Sequence, residues 1–529
     1  MERLAGKVML LSGWRRALVA FVAGLAGVLA LPPFGFFASL FVSFTLLVWL
    51  IDGATGAPGA GILRRLAPAF FIGWWFGFGY FLGGLWWLGN ALLVEADDYA
   101  WAVPFAVIGL PAVLALYYGL AAVMARLVWS DGFGRIAALA AAFGLAEWLR
   151  GILLTGFPWN AIGYGAMPVP LMMQSARIVG IDGMNVLSVL VFAAPALLGT
   201  GRGRRVGLSL AAVLLAAHLG YGGYALYRMP DAPASETVIR LVQPVIDQAK
   251  KLDDSARAEI FEKHLAMSAA APEGDGKRPD VIVWPETSIP FVLTDNPDAL
   301  VRIAEVLEDD QVLVAGAVRT ESAGSGTPPR YYNSIYVIDG KGQIVGAADK
   351  VHLVPFGEYM PFEDFFSSWG IDAVAAMPGG FSGAREHKPL ALPSGTSFYP
   401  LICYEAIFPA EITESARSTN ALLNVTNDAW FGNSPGPYQH FHQARIRAVE
   451  TGLPLIRGAN SGVSAIVDAK GRILLGLSYN VDSVIDATLP GKYVSNQDSR
   501  LWNLRFPVLI VIVFLVAAIS RFGFINQEN

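Results

Sequence analysis

A chain of 529 residues that is 54% hydrophobic, only 15% charged and +0.47 in mean hydropathy lies outside the usual soluble range and predicts a membrane protein. Its single cysteine excludes a disulfide within the monomer and thiolate-bound zinc or iron–sulfur centres. A net charge of −5 with no basic cluster offers no footprint for nucleic acid.

The apolar residues are concentrated in long runs from Leu10 to Tyr227 and in a last run from Phe506 to Ser520, while the stretch from about Met229 to Arg500 has the composition of a soluble domain. A bilayer crossing needs about 20 apolar residues. Seven spans are predicted before the soluble stretch, at roughly 11–31, 34–51, 67–93, 99–125, 135–151, 184–200 and 206–227, and an eighth at 505–521. The first is followed too closely by the second, with no small-residue cleavage pattern between them, to be a cleaved signal peptide. The expected organisation is a transmembrane part at 1–228, an outer domain at 229–504, and a final span with a cytoplasmic tail at 505–529.

Basic residues mark every alternate loop. Arg3, Lys7, Arg15 and Arg16 precede the first span, Arg64 and Arg65 follow the second, Arg126 and Arg135 flank the next such loop, Arg202, Arg204 and Arg205 separate the sixth and seventh, and Arg521 follows the last. The loops between are neutral or carry Glu95, Asp97 and Asp98, apart from Arg150 and Arg177 in one long connection. The positive-inside rule then places both termini in the cytoplasm and the 229–504 domain in a periplasm-like compartment. In that connection, Gly151 to Gly183, Thr155-Gly-Phe-Pro-Trp-Asn160 and Met167-Pro-Val-Pro-Leu171 are apolar but broken by Gly and Pro. This pattern suits either an interfacial segment or a structured loop beneath the outer domain. Glu147 and Arg150 have the i, i+3 spacing of a helical ion pair.

In the outer stretch, strand patterns fall at Val238–Val242, Val281–Trp284, Gln311–Val318, Asn333–Ile338, Gln343–Ala348, Ser397–Ile402, Ala421–Val425, Leu455–Ala459, Gly462–Val467 and Ile473–Gly476. Helical patterns fall at Asp254–Ala270, Pro297–Glu308, Pro409–Ser418 and Pro437–Thr451. Strands interleaved with helices predict a layered α/β domain.

Three ionisable residues close predicted strands: Glu286 after Val281-Ile-Val-Trp-Pro, Lys350 after Gly346-Ala-Ala-Asp, and Cys403 after Tyr399-Pro-Leu-Ile. Ligands of α/β sheets sit at the carboxyl ends of strands, so the three can share a pocket. Singly, each has a plainer reading: a turn carboxylate, an edge lysine, an inert core thiol. Together they supply acyl transfer, with a thiolate to attack a carbonyl, a carboxylate to take the thiol proton and an ammonium to hold the oxyanion. A carboxylate base working near neutral pH predicts that Glu286 is shielded from water.

Trp284-Pro-Glu286, Lys350-Val-His-Leu-Val-Pro-Phe-Gly-Glu358 and Cys403-Tyr-Glu405 resemble the Glu-Lys-Cys set of the nitrilase superfamily. With the eight spans, Gly156-Phe-Pro-Trp159 and Asn424-Val-Thr-Asn-Asp-Ala-Trp-Phe-Gly432, the chain is similar over nearly its whole length to the apolipoprotein N-acyltransferase family. The resemblance implies an eight-helix transmembrane domain plus an α/β nitrilase-like αββα sandwich facing the periplasm, in the cell inner membrane. It implies transfer of a fatty acyl chain from a phospholipid, preferably phosphatidylethanolamine, through a Cys403 thioester to the N-terminal amine of a diacylglyceryl-cysteine lipoprotein. Carried over by motif, Cys403 is nucleophile, Glu286 base and Lys350 oxyanion partner. Glu358 supports Lys350 or the proton transfers, Tyr404 and Glu405 position the nucleophile, and Trp430 lies over the acyl site. No cofactor or metal is expected, because the donor ester is already activated, and a monomer is the expected state. The chain departs from the family pattern in Val242 to Leu252, where Pro244, Val245 and Leu252 replace an expected Gly-Asn pair and a Trp.

Competing readings use the same residues differently. A membrane-tethered carbon–nitrogen hydrolase would pass the acyl group to water. A Cys-His hydrolase would recruit His352, His440 or His442. A transporter or sensor with an outer binding domain would leave Cys403 structural, although few charges in the spans suit a transport path.

Overall fold

The computed structural model describes residues 1–54, 56, 59, 61–200, 203–272, 276–322, 329–362, 380–493 and 499–525; Arg202 and the tail from 526 lie outside them. Packing divides the chain into two units, Met1–Gly89 with Asp98–Met229 and Asn496–Asn529, and Asn90–Asp97 with Pro230–Ser495.

The first unit is helical. Six helical stretches among the described residues are long and apolar enough to cross a bilayer: Gly13–Ala30, Ile62–Leu92, Ala96–Leu127, Ala176–Gly199, Arg204–Tyr227 and Leu504–Arg521. The two other predicted spans fall short for different reasons. Ser39–Asp52 has 14 residues, which at about 1.5 Å per residue leaves it well under a hydrocarbon thickness of about 30 Å. Gly134–Ile152 has the length but carries Arg135, Glu147 and Arg150, all buried. Close helix crossing is built from small residues: a β-carbon at Gly24 would collide with the Phe76 carbonyl, and one at Gly79 with that of Phe21.

The Gly151 to Gly183 connection is shorter than predicted, because the sixth span begins at Ala176, with Gly180 at φ 65° accommodating a kink. Residues 158–167 of the connection are buried within protein, whereas Leu153, Leu154 and Val169 are exposed. The Glu147–Arg150 pair forms as predicted, with both side chains fully buried. Tyr118 donates to Glu147 Oε1 (2.5 Å), and Arg150 Nη1 donates to the Trp159 carbonyl (3.0 Å), so the pair anchors the loop.

The second unit holds two six-stranded sheets. The first contains β1 (Val238–Gln243), β2 (Val281–Val283), β3 (Val312–Glu321), β4 (Arg330–Asp339), β5 (Ile344–Asp349) and β12 (Ser483–Thr488), in the order β12-β1-β2-β3-β4-β5. The second contains β6 (Leu390–Ala391), β7 (Ser397–Ile402), β8 (Ala421–Asn427), β9 (Leu455–Asn460), β10 (Ser464–Val467) and β11 (Ile473–Leu477), in the order β11-β10-β9-β8-β7-β6.

The period of two in strand side chains sorts each strand onto two apolar faces. Ile239, Leu241, Val281, Val283, Val312 and Val314 of the first sheet pack against Phe398, Ile402, Leu423, Val425 and Ile456 of the second. The alternate residues of the first sheet, Val242, Ile282, Leu313 and Ala315, lie under helices Arg257–Ser268 and Pro297–Val306 through Phe261, Leu265, Ala299 and Ile303. Those of the second, Tyr399, Leu401, Leu422 and Leu455, lie under helix Gly436–Thr451 through Phe441, Ala444 and Ala448. The layers are therefore αββα, as expected. The sequence reading overlooked β6, which is two residues long, and β12, a half-buried edge strand. The helix expected at Pro409–Ser418 is instead two 3₁₀ turns, Pro409–Glu411 and Glu414–Ser418, separated by Thr413 in extended backbone.

Candidate active site

Strand direction brings the three ionisable residues together. β2 runs parallel to β3, which is antiparallel to β4, which is antiparallel to β5, so the carboxyl ends of β2 and β5 lie on the same side of their sheet. Pro285 lacks the N–H that would extend β2, and the chain turns there toward Glu286. That turn lies hard against β3: a β-carbon at Gly316 would sit 2.6 Å from Glu286 Cα, while Ser288 and Ile289 donate to the Gly316 carbonyl (2.9 and 3.1 Å). Glycine is required at this approach.

Glu286 is 6% exposed, so it is shielded as predicted. Oε1 accepts from Asn333 Nδ2 (2.7 Å) and lies 3.6 Å from Lys350 Nζ, and Oε2 accepts from the Asn427 backbone N–H (2.9 Å). One carboxylate thus touches β4 of one sheet and β8 of the other. Lys350 is 1% exposed, and its Nζ is 2.9 Å from Glu358. Burial disfavours the ammonium, but the carboxylates of Glu358 and Glu286 outweigh it and raise the pKa of Lys350, so the amine stays charged. Glu358 in turn accepts from Asn333 Nδ2 (2.9 Å) and the Val354 N–H (2.8 Å).

Cys403 follows β7 directly and takes a left-handed backbone, φ 53°, unusual for a non-glycine residue and common where a side chain must be aimed. Its sulfur accepts from Thr426 Oγ1 (3.3 Å) on β8. Burial, followed by the charge of Glu286, pushes the thiol pKa up against the opposing pull of Lys350. The resting group is therefore a thiol rather than a preformed thiolate, and it needs a base before it can attack. Both charged neighbours act on it electrostatically, so the three groups lie near one another.

Glu405, 1% exposed, accepts from the Ile402 N–H (2.6 Å) before the cysteine and from the Val351 and His352 N–H groups (2.6 and 3.0 Å) after the lysine. It ties the two segments together. Tyr404 is buried, with its ring 4.9 Å from that of Phe408 and 5.8 Å from that of His352. Trp430 stands half-buried on the turn Asp428–Phe431, and no hydrogen bond or ring contact among the described residues links it to Glu286, Lys350 or Cys403. His440 Nε2 lies 3.0 Å from the Cys403 carbonyl oxygen, and His352 is stacked on Phe408 and bonded to Glu411 (3.0 Å).

Sequence reasoning missed Asn333, Thr426, Asn427 and Lys251. The polar residues Asn424, Thr426 and Asn427 within an apolar strand were a readable signal, because buried polar groups are costly unless bonded.

Residues 239–497 match the carbon-nitrogen hydrolase family, and residues 23–194 match the apolipoprotein N-acyltransferase N-terminal domain. The chain is 66% identical over 531 residues to an apolipoprotein N-acyltransferase of Sinorhizobium fredii and 64% identical to one of Rhizobium meliloti, with 100% of both chains covered in each comparison. Among solved structures, an amidase from Nesterenkonia sp. is 18% identical, with 52% of this chain and 98% of that chain covered at a TM-score of 0.36.

Proposed function

The chain belongs to the apolipoprotein N-acyltransferase family, and from that premise we propose that it runs a two-step acyl relay through Cys403. It is an enzyme of the nitrilase superfamily that N-acylates lipoproteins in a membrane setting. The observation that carries the proposed chemistry is the convergence of Glu286, Lys350 and Cys403 from three strand ends, with the acid and the amine both buried and both acting on the thiol.

In the first step Glu286 takes the thiol proton as sulfur attacks an ester carbonyl of a phospholipid. The C–S bond forms, the ester C–O bond breaks, and the proton passes from Glu286 to the departing lysophospholipid hydroxyl. Lys350 holds the negative charge on the carbonyl oxygen of the tetrahedral species, and Glu358 and Asn333 keep that lysine and Glu286 in register. In the second step the neutral N-terminal amine of a diacylglyceryl-cysteine lipoprotein attacks the thioester. The C–N bond forms, the C–S bond breaks, and the amine proton returns through Glu286 to sulfur. Glu405 and Tyr404 position the cysteine turn, and Trp430 covers the acyl chain.

The organisation that suits this chemistry is eight helices across the inner membrane, with Ser39–Asp52 and Gly134–Ile152 completing the set within 1–228 and 505–529. The 229–504 catalytic domain faces the periplasm, and the protein acts as a monomer. Lifting an acyl chain into water costs about 0.8 kcal/mol per CH₂, and a membrane-tethered pocket avoids most of it.

The test is lipoprotein N-acylation by the full chain in phospholipid micelles with Cys403→Ala, Glu286→Gln and Lys350→Met. Each is expected to lose about three orders of magnitude or more. A variant that keeps near wild-type turnover removes that residue from the relay.

A further inference from the structure

Beside this site stands a cation that the relay does not use. Lys251 belongs to the short helix Gln248–Leu252, and its Nζ donates to two neutral oxygens, the Glu286 carbonyl (3.2 Å) and Thr287 Oγ1 (3.1 Å). Among the described residues no carboxylate pairs with it and its third N–H has no acceptor. The neighbouring lysines differ: Lys350 has Glu358 and Glu286, and Lys250 has Glu259 at 2.6 Å.

The segment that carries it is tied to the second sheet. Gln248 Oε1 accepts from Asn427 Nδ2 (2.6 Å), Asn427 N–H donates to Glu286 (2.9 Å), and Ile246 exchanges two 2.8 Å bonds with Asn460. The residue as a whole is half-buried. Burial pulls its pKa down to about 8, with the charge of Glu286 pulling the other way, so it is a cation at neutral pH with no carboxylate bonded to it among the described residues.

We infer that Lys251 receives the phosphodiester of the acyl donor, anchoring the headgroup while the ester carbonyl meets Cys403. The inference rests on the proposed phospholipid donor. A phosphate joined to the reacting ester by the glycerol backbone supplies the missing negative charge at a point beside, not on, the reacting carbon. The lipoprotein acceptor carries no phosphate on its diacylglyceryl group, so Lys251 serves the donor half-reaction and specifies phospholipid over neutral esters.

The experiment compares thioester formation on the full-length protein in mixed micelles with two donors, phosphatidylethanolamine and a neutral p-nitrophenyl fatty ester. Losing a charged hydrogen bond to phosphate predicts that Lys251→Gln lowers the phospholipid-to-neutral-ester rate ratio about tenfold or more, chiefly through KM, while Lys251→Arg stays within about threefold. An unchanged ratio, including an equal fall with both donors, overturns the inference and leaves Lys251 as a strut for the Glu286–Thr287 turn. A loss confined to aminolysis of preformed thioester also overturns it.

Should Lys251→Gln fail to fold, the wild-type protein decides. KM for phosphatidylethanolamine is expected to climb above about pH 8 while KM for the neutral ester does not, and parallel profiles contradict the inference. Glycerophosphoethanolamine is expected to compete with phospholipid more strongly than inorganic phosphate does, and equal competition points to a free-phosphate site instead. Acylation by either donor persisting in Cys403→Ala would refute the thioester reading itself, whatever the Lys251 ratio.

Discussion

Asn333 is the most exacting test of how the carboxylates are managed. Its single amide nitrogen bridges Glu286 Oε1 (2.7 Å) and Glu358 Oε1 (2.9 Å), the same two oxygens that face Lys350 Nζ at 3.6 and 2.9 Å. One ammonium cannot by itself balance two buried carboxylates, and the amide protons supply the remaining stabilisation. Asn333 Oδ1 has no hydrogen-bond partner among the described residues, so the side chain is held there for its donors. Asn333→Leu keeps the volume and removes both bonds. At about 1.5–3 kcal/mol for each hydrogen bond to a charged group, the loss is about 3–6 kcal/mol, or about two to four orders of magnitude if it falls wholly on the acylation barrier. The assay is the rate of acyl-enzyme formation from phospholipid, followed by quenched-flow mass analysis, with thermal unfolding as a check on folding. A folded Asn333→Leu that acylates within about fivefold of wild type would refute the bridging role.

Three further outcomes are expected. Glu405→Gln sets an amide N–H against one of the three backbone donors that the carboxylate now accepts, costing about 2–4 kcal/mol in thermal unfolding and slowing acylation; an unchanged Tm would show that the tie is dispensable. Burial works against ionisation of Glu411, but hydrogen bonds from His352 and His387 hold its carboxyl down to about 2, while His387, opposed by burial, is raised by Glu411 and Glu405. Glu411 then stabilises the fold above about pH 4.5 and loses that contribution as pH falls toward about 2, and His387 contributes below about 6.5 and loses it as pH rises through its raised value. The stability gap between wild type and Glu411→Gln should therefore be widest between those limits, and a gap flat from pH 3 to pH 9 would contradict the pairing. In the helical unit, Glu147→Gln strands the fully buried Arg150 and is expected to cost about 3–5 kcal/mol, whereas replacing both residues by Met recovers much of it. A double variant no better than the single would show that the loop contacts of Arg150 dominate.

Much of the site was legible because its three main residues sit where apolar β-branched runs stop, at Val283-Trp-Pro, Ala348-Asp and Ile402, and strand ends can be read from period and punctuation. Asn333 was not legible in the same way, and the polar residues Thr426 and Asn427 signalled that they are bonded without signalling to what. Their importance comes from two sheets meeting face to face, which places β4 and β8 on either side of Glu286, and no local spacing encodes that distance. The β12 strand was missed for a related reason: it pairs with β1 across the fold, Arg240 meeting Asp486 at 2.7 Å, and its own sequence is half polar. Six of the eight predicted spans meet the length and composition of a crossing among the described residues. Gly134–Ile152 has the length but carries three charged residues, two of which pair with each other inside protein.

The central claim, a thioester on Cys403, is tested most directly by the intact mass of the purified full-length protein after incubation with phospholipid in the absence of acceptor. The account predicts an added acyl mass on the wild-type chain, released by hydroxylamine and absent from Cys403→Ala. An identical adduct on Cys403→Ala, or no adduct on a wild-type preparation that N-acylates its acceptor, would contradict it.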